Sequence, residues 1–118
     1  MKLSELIEKL DAELIAGNAC PETEYHKVGA SDFMSDILAA ALSEGSVLLT
    51  GLTTVQAVKT AVISGVGAVG FVRGKKPPQE VIDVAQAHGI PLLSTPCSMF
   101  ISCGRLYAEG FTGLNGKR

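Results

Sequence analysis

Tryptophan is absent from this sequence, and aromatic residues make up only 5% of it. A core must therefore be packed from Val, Leu, Ile and Ala, as in sheets of mostly parallel strands. No row of stacking aromatics offers a platform for single-stranded nucleic acid. An excess of one charge is missing too. Ten Lys and Arg stand against twelve Asp and Glu, for a net charge of −2, and both signs are scattered, which is no footprint for a nucleic-acid backbone. The longest apolar stretch, Ala57 to Val72, is broken by Lys59 and several glycines, so no segment reads as a membrane span. The opening Met1-Lys2-Leu3-Ser4-Glu5-Leu6 reads as an amphipathic helix rather than a signal peptide, and a cytoplasmic location is expected.

Metal-ligating residues are sparse. The cysteines are Cys20, Cys97 and Cys103, and the histidines are His26 and His88. No C-x-x-C and no His/Cys cluster at ligand spacing occurs. An odd count of cysteines in an unsecreted chain argues for reduced thiols. A four-cysteine zinc or iron–sulfur site cannot be completed within one chain. Cys97, near a helix start, and Cys103, on a helix face with Met99 and Leu106, remain as the weakest of metal candidates. The default for Cys103 is a small buried hydrophobe.

What the sequence has is a rhythm. Its 118 residues, 47% apolar and 19% charged, suit one globular domain that needs no metal or disulfide to fold. Leu3, Leu6, Ile7 and Leu10 have helical spacing, and Ala12 to Ala16 and Tyr25 to Ala30 read as strands. Ser31-Asp32 reads as a helix start, with Phe33, Met34, Ile37, Leu38, Ala41 and Leu42 as its apolar face and Gly45 as its stop. Asp32 and Asp36 fall at i, i+4 on that helix, where a solvated face is the ordinary reading.

Ser46 to Thr50 reads as a buried strand. Thr53 and Gln56 have the spacing of a capping box, and Val55, Val58, Ala61 and Val62 form the next helical face. Val66 to Val72 is a glycine-rich strand, and Arg73-Gly74-Lys75-Lys76 a basic loop. Pro77-Pro78 opens a helix that closes at His88-Gly89. Ile90 to Leu93 is a short strand, and Ser98 to Glu109 a last helix. The alternation predicts an α/β fold: a single domain with a mostly parallel sheet of four to five strands flanked by helices. The domain is expected to span residues 1–110, with 111–118 as a flexible C-terminal tail.

In an open α/β sheet, ligands sit outside the carboxyl ends of the strands. Three loops meet that description, and they single out Thr50, Gly51, Thr53, Thr54, Arg73, Gly74, Lys75, Thr95 and Ser98. Hydroxyls, backbone N–H groups and cations there could cradle a small anion or nucleotide. Helix caps and solvated lysines would leave the same residues in the sequence. No phosphate loop of the G-x-x-x-x-G-K-[ST] kind supports the cradle. Gly65, Gly67 and Gly70 spell G-x-G-x-x-G, but they lead into a strand instead of following one, which excludes the dinucleotide fingerprint. No Ser/His/Asp or Cys/His arrangement points to an enzyme, and no cofactor is expected.

The stretch from Arg73 to Leu106 is the most distinctive. It reads Arg-Gly-Lys-Lys-Pro-Pro-Gln-Glu, a helix, then His-Gly-Ile-Pro-Leu-Leu-Ser-Thr-Pro-Cys-Ser and a last helix. With the opening Leu3-Ser4-Glu5-Leu6 through Leu14-Ile15-Ala16-Gly17, it resembles the DRTGG domain and the related N-terminal domain of HPr kinase/phosphorylases. That resemblance implies an α/β domain that is regulatory or architectural, self-associates as a homodimer in the family's manner, and has no kinase activity of its own. It also implies an alternative: a protein-interaction or iron–sulfur accessory of an iron-hydrogenase system, docking a protein partner. The family's Asp-Arg pair is replaced after Gly51 by Leu52-Thr53, and its Thr-Gly-Gly by Arg73-Gly74-Lys75. Arg73 is the residue that could supply the missing cation from the opposite loop.

Overall fold

The computed structural model describes residues 1–17, 23–33, 35 and 45–113. Cys20, Asp36, most of the helix expected after Asp32, and residues 114–118 lie outside the described residues.

The described chain runs α1 (Leu3–Lys9), β1 (Glu13–Ala16), β2 (Lys27–Ala30), β3 (Ser46–Thr50), α2 (Val55–Ser64), β4 (Ala68–Phe71), α3 (Gln79–His88), β5 (Leu92–Ser94) and α4 (Met99–Ala108). The strands form one sheet in the order β1-β5-β4-β3-β2. Strands β2 to β5 are parallel, and β1 joins the sheet antiparallel to β5. The fold class expected from the sequence is the one observed: one α/β domain with a mostly parallel sheet.

Two hydrophobic layers explain why β3 reads as an unbroken apolar run. Leu48 points to one face, where it meets Val58 and Ala61 of α2 and Val81 and Ala85 of α3. Val47 and Leu49 point to the other, against Leu3, Leu6 and Leu10 at α1, Leu106 of α4 and Tyr25. A strand buried on both faces cannot alternate polar with apolar. Glycine in β4 has a packing reason: a Cβ on Gly70 would stand 2.9 Å from Leu49 Cδ2 in the neighbouring strand.

Local signals hold at most helix ends. Gly65 and Gly89 are left-handed C-caps of α2 and α3, and Ser98 caps α4 by accepting from Ile101 N at 3.2 Å. At α2 the cap differs from the expected capping box. Thr54, not Thr53, is the N-cap, and its Oγ1 accepts from Ala57 N at 3.1 Å. The helix starts one residue later than the spacing of Thr53 and Gln56 suggests.

The expected tail begins with an anchored residue. Phe111 is only 3% exposed and packs in the layer beneath α1 and α4. Thr112 N donates to His26 O, and Val28 N donates to Thr112 O, so the backbone there lies beside β2. Burial of one aromatic ring outweighs the glycines around it. Among the described residues, no helix is long and apolar enough to cross a membrane.

Candidate functional site

Because β2 to β5 are parallel, their carboxyl ends and following loops gather on one end of the sheet. Asp32 follows β2, Gly51 follows β3, Arg73 follows β4, and Thr95 to Ser98 follow β5. A cavity of about 300 Å³ opens there, lined by Asp32, Val72, Arg73, Ser98, Met99 and Phe100.

Asp32 is held by the adjacent strand end. Its Oδ1 accepts from Thr50 Oγ1 at 3.0 Å and from Gly51 N at 2.7 Å. Thr50 Oγ1 in turn accepts from Leu52 N at 3.2 Å. The hydroxyl and backbone donors expected to face a ligand at Thr50 and Gly51 thus face a carboxylate of the protein. Arg73 approaches from the other side. A Cβ on Gly51 would stand 3.0 Å from Arg73 Nη2 and 3.5 Å from Asp32 Oδ1. Glycine at 51 leaves the gap into which both side chains reach.

Arg73 itself is bent into place. Its φ of 59° is left-handed, rare for a residue with a side chain. Gly74 follows with φ of 68°. Two backbone hydrogen bonds hold this turn to the next loop: Arg73 N donates to Cys97 O at 2.8 Å and Gly74 N to Thr95 O at 2.7 Å. Such a conformation costs on the order of 1 kcal/mol and persists where its surroundings enforce it. The result is an exposed guanidinium which, among the described residues, makes no ion pair.

Of the nine residues singled out from the sequence, Gly51, Arg73 and Ser98 stand at this cavity or against its charged groups. Thr50 supports Asp32. Thr95 is buried and occupied: its Oγ1 donates to Leu10 O at 2.5 Å and accepts from Cys97 N at 3.1 Å. Thr54 caps α2, and Thr53 lies half-buried in the turn before it. Gly74 and Lys75 are exposed beside the cavity, and the Lys75 carbonyl accepts from Ser94 Oγ. Lys76 pairs with Glu13 at 2.6 Å.

Sequence reasoning missed Asp32 as a site residue. Its helix-start signal was read locally, and its contact with Thr50 exists only because β2 lies beside β3. Phe100 and Met99 were missed too, since helical spacing marks them only as apolar.

The two described cysteines have different settings. Cys97 Sγ lies 3.6 Å from Leu10 O. Cys103 is half-buried in α4, and burial pushes its thiol up. Among the described residues, no group of three His, Cys, Asp or Glu is placed to hold a metal ion.

No protein-family model matches the chain, and no curated protein matches it. Among solved structures, it is similar to the CBS and DRTGG domains of the regulatory region of Clostridium perfringens pyrophosphatase, complexed with the activator diadenosine tetraphosphate. The identity is 21% and the TM-score 0.70, over 89% of this chain and 45% of that one. The chain therefore spans just under half the length of that structure. At the level of the fold, the resemblance holds: this chain has a DRTGG-like α/β fold.

Proposed function

We propose that this chain is a non-catalytic regulatory domain that senses a small anionic ligand, of the nucleotide class, at the carboxyl ends of β2 to β5, and that it self-associates. The observation carrying this reading is the Arg73 guanidinium. It is exposed, lines a cavity at the strand ends, and is held there by a left-handed backbone. An unpaired guanidinium suits a phosphate or carboxylate, which it can bind with two parallel hydrogen bonds. Asp32 keeps Oδ2 for a hydroxyl or amine of the same ligand, while Oδ1 is taken by Thr50 and Gly51. Phe100, Met99 and Val72 supply apolar contact for a planar group. The pyrophosphatase regulatory region, its CBS and DRTGG domains together, was solved in complex with the activator diadenosine tetraphosphate, which supports the choice of ligand class.

A thermal-shift screen tests the reading. The panel is inorganic phosphate, adenine and guanine nucleotides, dinucleotide polyphosphates, cyclic dinucleotides and NAD(H). A ligand at about 100 times its Kd adds roughly 2.7 kcal/mol, a shift of several degrees for a domain of this size. The shift is expected to vanish in Arg73→Ala. A flat screen, or a shift indifferent to Arg73→Ala, overturns the strand-end site.

A second reading, a protein-interaction module, is favoured by one observation: α4 turns Phe100 and Tyr107 outward at 83% and 55% exposure. Among the described residues, no comparable feature stands behind the redox or iron–sulfur accessory role.

A further inference from the structure

Beside the strand-end cavity, Asp32 and Arg73 reach towards the same spot over the Cα of Gly51. A Cβ built there would stand 3.0 Å from Arg73 Nη2, 3.5 Å from Asp32 Oδ1 and 3.6 Å from Asp32 Oδ2. The two charges border this spot without joining. Among the described residues, Arg73 forms no ion pair and its guanidinium donates no hydrogen bond. Asp32 Oδ1 is taken by Thr50 Oγ1 and Gly51 N, and Oδ2 has no partner among the same residues. A free donor, a free acceptor and a floor with no side chain leave a seat for one ligand atom.

The chemistry of that atom is narrow. It must accept from the guanidinium and donate to the carboxylate at once. A phosphate oxygen or a base carbonyl only accepts, and beside Oδ2 it would face a second acceptor. An exocyclic amine only donates, and would face the N–H groups of Arg73. A hydroxyl does both through one oxygen. Within the nucleotide class, the hydroxyls are those of the ribose. Arg73 has five N–H donors, so holding a hydroxyl with Nη2 leaves others for a phosphate.

We infer that the space over Gly51 seats a ribose hydroxyl, so that the site takes ribonucleotides and discriminates against their deoxy counterparts. This deepens the reading above and rests on its anion site at Arg73. The hydroxyl donates to Asp32 Oδ2 and accepts from Arg73 Nη2, while the remaining guanidinium N–H groups hold the phosphate. Asp32 therefore sets the choice of sugar, and Gly51 keeps the seat open for it.

Calorimetry on the full chain tests this, with ATP, GTP and the 2′-deoxy and 3′-deoxy forms of each as probes. ATP or GTP is expected to bind, and the form lacking the seated hydroxyl to bind about tenfold more weakly. That is the low end for a hydrogen bond to a charged group, as suits two exposed side chains. Asp32→Asn keeps an oxygen for Thr50 and Gly51 but can turn an N–H towards the seat, and is expected to erase most of the difference. Gly51→Ala, whose methyl group enters the seat, is expected to weaken the ribonucleotide to the level of that deoxy form. If both deoxy forms bind like the parent while Arg73→Ala abolishes binding, the hydroxyl seat is overturned and the anion site stands. A preference for the hydroxyl that survives both variants puts the ribose elsewhere and overturns the seat as well. Absence of any binding by ATP and GTP also overturns it, and the anion site is then decided by the wider thermal-shift panel.

Discussion

Gly51 and Arg73 face each other across the adjoining ends of β3 and β4, so closely that a Cβ on Gly51 would stand 3.0 Å from Arg73 Nη2. The glycine therefore sets where the guanidinium rests. In Gly51→Ala the arginine, exposed and flexible, moves aside at little cost in stability. The expected result is a melting temperature within a few degrees of the wild type and a ligand-induced thermal shift that is reduced or lost. An unchanged ligand response in Gly51→Ala would show that the seat of Arg73 over residue 51 is immaterial to binding.

Asp32 fastens the end of β2 to the end of β3 through Thr50 Oγ1 and Gly51 N. The carboxylate is exposed, so its charge is partly screened. Asp32→Ala is expected to cost about 1 kcal/mol, read as a drop of roughly 4 °C in Tm. Asp32→Asn, whose amide oxygen can accept the same bonds, should recover most of that loss. Failure of Asn to rescue would assign the effect to charge instead of hydrogen bonding.

Thr95 separates a structural from a ligand-binding role. Its buried hydroxyl joins Leu10 O, after α1, to Cys97 N, before α4. Thr95→Val keeps the shape and leaves two backbone groups with weaker or no partners. A cost of about 1–3 kcal/mol follows, with ligand affinity per folded molecule unchanged. Chemical denaturation gives the first quantity and calorimetry of binding the second. Loss of binding without loss of stability would return Thr95 to the ligand site.

Burial raises the Cys103 thiol, because desolvation disfavours the thiolate. At neutral pH Cys103 is expected to alkylate more slowly than the same cysteine in the urea-unfolded chain, as peptide mass spectrometry would show. The sign for stability follows. A folded-state value above the unfolded one means that stability is intact below the unfolded thiol's range and declines as pH rises through the folded one. Equal alkylation rates in folded and unfolded chain would contradict this burial.

How far the sequence reaches is seen at β3 and at Asp32. Ser46 to Thr50 was legible as a buried strand, because burial on both faces writes itself into five consecutive residues. The helix after Pro77-Pro78 and its left-handed stop at Gly89 were legible too, because each is a short-range matter of backbone conformation. The cap at Thr54 was misplaced by one residue, since neighbouring threonines compete for it on equal local terms.

The sequence by itself determined the order of elements and the two-sided burial of the sheet. Only the tertiary structure decided that β1 closes the sheet antiparallel beside β5, that Phe111 belongs to the core, and that Asp32, Gly51 and Arg73 meet. The physical reason is range. Periodicity and capping are set by residues a few positions apart, whereas the site is made by strand neighbours. Their adjacency costs loop closure and is repaid only by packing across the whole sheet.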